Sequence, residues 1–230
     1  MRQSERAALY GDALTELRRS GRVYPCWCTR AEIRAAAGAP HGPQPEGAYP
    51  GTCRRLTAAE GGERARTASR PPALRLDAGA EHVGFTDRLH GDVQGVADDV
   101  VLFRGDGTPA YNLAVVVDDA QQGIGEVVRG DDLLDSTPAQ LLLTRLLGAP
   151  VPRYAHVPLV LGPDGARLAK RHGAVTLADR AALGESAADS LAWMGASLGL
   201  AEPGERVSAE DLVERFDPQG LPREPELLTG

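Results

Sequence analysis

Residues 111–134, YNLAVVVDDAQQGIGEVVRGDDLL, set two β-branched runs on either side of a polar turn. Leu113 through Val117 is a continuous apolar run ended by Asp118 and Asp119, the pattern of a strand covered on both faces. Gly125-Glu126-Val127-Val128 predicts a second short strand, broken by the charged turn Arg129-Gly130-Asp131-Asp132. Ser136 is then placed to cap a helix over residues 137–147, closed by Gly148. This arrangement puts Arg129 at a strand end, held on a rigid element and facing a cleft.

Upstream, residues 100–104 run through Asp106-Gly107 to Tyr111, a hairpin signal that places Tyr111 on the second strand. Alternation at residues 73–76 and 83–86 predicts two more strands, while residues 56–72, ending in Pro71-Pro72, suit a surface helix or linker. At the N-terminus Ser4 can cap an amphipathic helix carrying Tyr10, Ala13, Leu14 and Leu17 on one face, with Gly21 at its end. Downstream, residues 156–161 form a buried strand, and the turn Gly162-Pro163-Asp164-Gly165 leads into a cationic, glycine-bounded loop over residues 166–173, ARLAKRHG. Residues 175–200 are helical, with Leu177, Leu183, Leu191, Trp193, Met194 and Leu198 supplying core, and Ser208 caps a last helix.

Cys26 and Cys28 stand one residue apart, and a Gly/Pro-rich loop separates them from Tyr49 and Cys53. Three thiols in a lobe that buries little apolar surface suit a zinc site, whose tetrahedron needs a fourth donor from Tyr49, His41 or water. The usual Cys-x-x-Cys knuckle is absent, so spacing alone leaves three reduced structural cysteines as an equal alternative.

With 230 residues, 42% of them hydrophobic, and no repeat, the chain can bury one substantial core, expected as one domain with an inserted lobe. A net charge of −7 argues against a protein coated for phosphate binding, although an acidic body can still present a local basic surface to RNA. The arginines between positions 64 and 75 are expected to be solvated surface. An odd number of cysteines makes no disulfide framework, the polar N-terminus lacks a signal-peptide core, and no apolar run approaches membrane-spanning length. A cytoplasmic monomer is expected, with no membrane partner.

The ordered series Tyr111, Val115-Val116-Val117-Asp118-Asp119, Val128-Arg129-Gly130-Asp131-Asp132-Leu133, Thr137-Pro138-Ala139-Gln140, His156-Val157-Pro158-Leu159 and the 161–173 loop resembles the glutamyl-tRNA synthetase group of class I aminoacyl-tRNA synthetases over nearly the whole chain. Within it, Cys26, Cys28, Tyr49 and Cys53 are similar to the Cys-x-Cys, Tyr-x-x-x-Cys zinc signature of the glutamyl-Q tRNA(Asp) synthetase family, which has no anticodon-binding domain. The resemblance implies an α/β fold: a class I Rossmann-like core, incomplete here, with an inserted zinc-binding lobe and C-terminal helices. It divides the chain into a first-half helix (1–20), the lobe (21–100), the second half of the core (101–174) and a helical region (175–230).

The same resemblance implies activation of glutamate by ATP, with Mg²⁺ expected, and transfer to queuosine in the anticodon region of tRNA(Asp). Arg129 and Tyr111 match the family's glutamate-binding residues, and Lys170 matches the second lysine of its KMSKS-type loop, here spanning Arg167, Leu168, Ala169, Lys170 and Arg171. Arg167 replaces the first lysine and Ala169 the serine, which removes one hydroxyl donor and keeps the charge pattern. No HIGH-like sequence occurs, because that element lies upstream of the helix at residues 3–20. An N-terminally truncated enzyme, inactive alone, is therefore expected; the alternatives are a non-catalytic zinc-stabilised remnant and a fragment of a tRNA-charging glutamyl-tRNA synthetase.

Overall fold

The computed structural model describes residues 1–37, 48–168 and 176–227. The chain divides into two units: Met1–Thr86, Asp92–Val127 and Leu134–Arg153 form the first, and Asp87–Gly91, Val128–Leu133 and Tyr154–Gly230 the second. In chain order the elements are a 3-10 turn at Gln3–Glu5, α1 (Ala7–Arg19), β1 (Val23–Cys26), α2 (Arg30–Ala37), α3 (Ala58–Thr67), β2 (Ala73–Leu76), β3 (His82–Asp87), β4 (Gly91–Val96) and β5 (Val101–Phe103). There follow α4 (Tyr111–Gln122), β6 (Glu126–Gly130), a 3-10 segment at Asp131–Ser136, α5 (Thr137–Leu146), β7 (Arg153–Val157), β8 (Val160–Leu161), α6 (Leu177–Ala182), α7 (Ala187–Ser197), α8 (Ala209–Arg215) and β9 (Glu226–Leu227).

Three strands pair in the order β1-β2-β5, antiparallel throughout, with Cys26 opposite Ala73 and a register shift at Leu74/Arg75. A second sheet has the order β4-β3-β7-β6, in which β3 and β7 run parallel with Asp87 opposite Tyr154. β8 and β9 form a short parallel pair.

The largest correction concerns residues 113–117. They lie in helix α4, not in a strand, and Tyr111 is the first helical residue, not a strand position. A short apolar run has no readable period, and α4 explains why: Leu113, Ala114, Val116, Val117 and even Asp118 are all buried, so the helix shows almost no polar face there. The stop signal lay farther on, at Gly123, which closes the helix in the left-handed conformation at φ 66°. The Asp106-Gly107 turn does form, with Gly107 at φ 81° and Arg104 N–H donating to Thr108 O at 2.9 Å. After the isolated bridge Phe103–Pro109 the chain enters α4 where a second strand was expected.

Two smaller expectations also change. Ser4 falls inside the 3-10 turn, and Arg6 takes the N-cap of α1 without a side-chain cap. In the C-terminal region Leu177, Leu183, Met194 and Leu198 are exposed, and α7 buries only Ala192 and Gly195. Small residues do the packing there: a Cβ on Gly195 would sit 2.9 Å from a Leu212 methyl and 3.1 Å from Ala201 Cβ, so a larger residue would need its neighbours to shift.

Helix α1 is tied to α4 through one buried carboxylate. Asp118 accepts from Gln3 Nε2 at 2.8 Å and from Arg6 Nε at 2.6 Å, with the Tyr10 hydroxyl 3.0 Å from both of its oxygens. Asp118→Ala leaves the Arg6 charge and the Tyr10 hydroxyl without their acceptor, and should cost about 3 kcal/mol of stability. Equilibrium denaturant unfolding would show this as an earlier midpoint at unchanged slope.

Candidate functional site

In the first unit, β1 delivers Cys26 and the turn after it delivers Cys28, just before Thr29 caps α2 through a reciprocal pair with Glu32. Gly51, at φ 72°, turns the chain so that Tyr49 and Cys53 reach back to the same place. The three sulfurs lie within 4.8 Å of one another, Cys28 and Cys53 at 3.4 Å. The Tyr49 hydroxyl is 3.3 Å from the sulfurs of Cys26 and of Cys28, and accepts from Cys53 N–H at 2.8 Å. Bond lengths of about 2.3 Å to sulfur and 2.0 Å to oxygen give a zinc tetrahedron edges of roughly 3.5–3.8 Å. The edges Cys26–Tyr49, Cys28–Tyr49 and Cys28–Cys53, at 3.3, 3.3 and 3.4 Å, lie within a few tenths of an ångström of those lengths.

Burial pushes the Cys28 thiol up to about 12 and raises the Tyr49 phenol as well. Cys53 is also raised by burial, but hydrogen bonds with Tyr49, the Trp27 backbone and the other two thiols bring it below its ordinary value. Several anions cannot share so small a space unless a cation joins them, so the chemistry of this donor set fits a divalent metal. His41 lies outside the described residues.

Tyr49 is held from two further directions. Its N–H donates to Asp98 at 3.0 Å, and the Arg75 guanidinium stands 3.9 Å over its ring. Arg75 is therefore buried, contrary to the solvated surface expected for the arginines of this stretch. Asp99 completes the frame, accepting from Tyr24 at 2.6 Å, from Arg54 at 3.0 Å and from Ala78 N–H at 3.0 Å. A cavity of about 820 Å³ adjoins the cluster, lined among others by Cys28, Arg70, Asp98, Arg104, Tyr111 and Asn112. Tyr111 is 53% exposed there, and Asn112 beside it accepts from Gln140 at 2.8 Å.

In the second unit Arg129 is the penultimate residue of β6, so the strand runs through Arg129 and Gly130, where the charged turn was expected to begin. Its Nε donates to His156 Nε2 at 3.0 Å, its guanidinium carbon stands 5.3 Å over the Tyr154 ring, and Nη2 lies 3.4 Å from Leu133 O. His156 and Asp87 are buried and joined by a 2.7 Å contact between Nδ1 and Oδ2. Arg129 can only donate, so Nε2 must accept, and Nδ1 carries the proton towards Asp87. The pair is thus a neutral imidazole on a carboxylate, not an ion pair. Burial lowers the affinity of His156 for a proton and Arg129 lowers it further, against the pull of Asp87. Asp87 is raised by burial, yet hydrogen bonds from His156, His90 and Leu89 carry it below the usual carboxylate value. Neither role was drawn from the sequence, although a histidine opening an apolar strand was the available signal.

The cationic loop leaves from a hairpin: Gly162 N–H donates to Ala166 O at 2.8 Å, Gly165 turns at φ 71°, and Arg167 bridges to Leu161. Arg167 Nη1 is 2.6 Å from Asp132, in the 3-10 segment just after Arg129. Leu168 lines a cavity of about 220 Å³ with Val160, Leu177, Trp193 and Met194. Ala169, Lys170 and Arg171 lie outside the described residues. Arg167 is thus tied, through Asp132, to the short segment that follows Arg129 in the second unit, and Tyr111 lies with the cysteine cluster in the first.

Two protonation steps follow. His156 is held neutral below its ordinary 6.5, so the unfolded chain binds the extra proton first and stability falls as the pH drops below 6.5. Asp87, held below 3.8, keeps its contribution until more acid conditions. The melting temperature should decline between about pH 7 and 5; a flat profile would contradict this assignment.

The catalytic-domain family described as tRNA synthetases class I (E and Q) matches residues 1–219. A glutamyl-Q tRNA(Asp) synthetase of Nocardia farcinica is 58% identical over 227 residues, which span 99% of this chain and 71% of that protein. Its counterpart in Symbiobacterium thermophilum is 53% identical over 97% of this chain and 70% of that one. In solved structures, the glutamate-tRNA synthetase of Elizabethkingia anophelis has a similar fold, with a TM-score of 0.75 at 25% identity, over 100% of this chain and 52% of its own. The chain spans about half the length of that structure. Among the described residues no helix is long and apolar enough to cross a membrane.

Proposed function

Because the chain belongs to the glutamyl-Q tRNA(Asp) synthetase family of class I aminoacyl-tRNA synthetases, we propose that its activity is to activate glutamate with ATP and transfer the glutamyl group to queuosine in the anticodon of tRNA(Asp). In the first step a glutamate carboxylate oxygen attacks the α-phosphorus of ATP, supplied as its Mg²⁺ complex. The bond to the bridging oxygen breaks and pyrophosphate leaves. Arg129 holds a carboxylate of glutamate through the planar fork of its guanidinium, and Tyr111, an exposed residue, offers the amino acid a hydrogen bond from its hydroxyl.

Negative charge grows on the phosphoryl oxygens and on pyrophosphate as that bond breaks. Lys170, which Arg167, Leu168, Ala169 and Arg171 flank in sequence, is assigned to meet it, and its charge is worth most in the transition state. The glutamyl group then passes from the adenylate to a nucleophile of the queuosine base, and AMP departs.

Cys26, Cys28, Cys53 and Tyr49 would hold zinc. The ion supplies the cross-link that lets a lobe with a small apolar core keep its shape. The strongest support for this family over a tRNA-charging enzyme is that Tyr49 and the three cysteines converge, since the Cys-x-Cys, Tyr-x-x-x-Cys spacing is the family's signature.

Three outcomes are expected. Cys53→Ser should lower zinc content, measured by atomic absorption on the purified protein, and loosen residues 24–55 to proteolysis; full zinc content would remove the assignment. Lys170→Ala in the intact enzyme should slow glutamate-dependent pyrophosphate release by about a hundredfold at unchanged melting temperature. Labelled glutamate should enter tRNA(Asp) that contains queuosine and not the same tRNA with guanosine in its place; equal labelling would overturn the acceptor.

A further inference from the structure

We infer that Asp87 and His156 are positioning residues for glutamate recognition: together they fix the roll and direction of the Arg129 guanidinium. The inference rests on the role proposed for Arg129 and extends it to two residues that the sequence motifs did not single out for that task.

An arginine on a strand has four side-chain torsions, and it recognises a carboxylate well only when its planar fork already points at it. Arg129 has a stacking partner in Tyr154, which limits tilt, and its Nη2 lies 3.4 Å from Leu133 O. The 3.0 Å bond from Nε to His156 Nε2 sets the roll of the plane at its inner nitrogen. It takes up the inner nitrogen of the fork and directs the outer edge, with Nη1 and Nη2, away from the imidazole. A carboxylate meets that outer edge with two parallel hydrogen bonds.

His156 can do this only while Nε2 is an acceptor, and Asp87 is what guarantees it. The Oδ2 atom at 2.7 Å takes the proton of Nδ1, which leaves the lone pair on Nε2. Asp87 is itself immobile: Oδ1 accepts from Leu89 N–H at 2.9 Å and His90 N–H at 3.0 Å, and Oδ2 accepts from His156 N–H at 3.1 Å. The Tyr154 ring lies nearly parallel to the imidazole, at 8° between planes and 5.8 Å between centroids. A chain of fixed groups therefore runs from the end of β3 through β7 to β6, and each member leaves the next a single orientation. Similar logic governs the outer partners of metal-bound histidines, where a carboxylate sets which ring nitrogen faces inward.

Protonation breaks the arrangement. With a proton on both ring nitrogens, His156 would present an N–H and a positive charge to an arginine that can only donate. The charged and titratable groups facing it are Asp87, Arg129 and His90, and of these Asp87 alone favours the protonated form. Glutamate affinity is thus expected to weaken in acid as Arg129 turns away, at a pH where the glutamate carboxylates are still ionised.

The test uses the intact enzyme and glutamate-dependent pyrophosphate release. His156→Leu removes the acceptor and should raise the KM for glutamate about tenfold, with the KM for ATP changed less than about twofold. His156→Gln keeps an acceptor amide and cannot titrate: it should restore most of the affinity and abolish the acid limb of the pH profile of kcat/KM for glutamate. Equal rises in both KM values, or an acid limb that persists in His156→Gln, would overturn the inference. If His156→Leu does not fold, the pH profile of His156→Gln decides alone. Arg129→Ala separates the two levels. If it leaves the KM for glutamate unchanged, the role of Arg129 fails and the inference with it; if it raises that KM and the His156 variants do not, only the positioning inference fails.

Discussion

A carboxylate cannot leave water unless donors surround it, and that constraint organises both units of this chain. Each buried aspartate has recruited its donors from segments far apart in sequence. Asp118 gathers Gln3, Arg6 and Tyr10 and so fixes helix α1 against α4. Asp99 gathers Tyr24, Arg54 and Ala78 and so joins the cysteine lobe to its sheet. Asp87 gathers His156 and its own turn, and so sets the orientation of the arginine proposed to read glutamate. Apolar burial supplies most of the driving force for such a fold, but it is indifferent to direction. These carboxylates supply the direction, because each accepts only in particular geometries.

The cysteine cluster shows the same constraint carried further. Tyr49 has its backbone on Asp98, its ring under Arg75 and its hydroxyl among three sulfurs. A residue held at three points keeps its hydroxyl beside the thiols, which is the placement that the proposed fourth ligand requires. The α/β class, the family and its ligase chemistry follow from the match along residues 1–219, while the metal, the acceptor and the individual residue roles are our proposals.

Most of the architecture could be read from the sequence wherever a local signal existed. The strands at β2, β3, β5 and β6, the Asp106-Gly107 turn and the capped helix at α8 all carry punctuation within a few residues. The meeting of Cys26, Cys28 and Cys53 was one of two readings that their spacing left open, and Tyr49 was singled out only by the resemblance to the family's zinc signature. Residues 113–117 were not, since a helix buried on nearly every side has the same composition as a buried strand, and Tyr111 was misplaced with them. The exposed leucines of α6 and α7 misled for the opposite reason: they look like core and the packing is done by Ala192 and Gly195. The Asp87–His156 pair spans 69 positions, and no local pattern announces a contact of that range.

Among the described residues five helices share a feature that α1, α4 and α5 lack. α2, α3, α6, α7 and α8 each open with a reciprocal capping box, at Thr29/Glu32, Thr57/Glu60, Thr176/Asp179, Ser186/Asp189 and Ser208/Asp211. They are also helices with little or nothing buried, whereas α1, α4 and α5 carry their units' core and have no side-chain cap. Where packing cannot hold a helix, its first turn must, so the information that specifies it is concentrated in two residues three apart. Descendants of this sequence are therefore free to drift along the outer faces of those five helices, while that pair stays chemically legible long after the rest has changed.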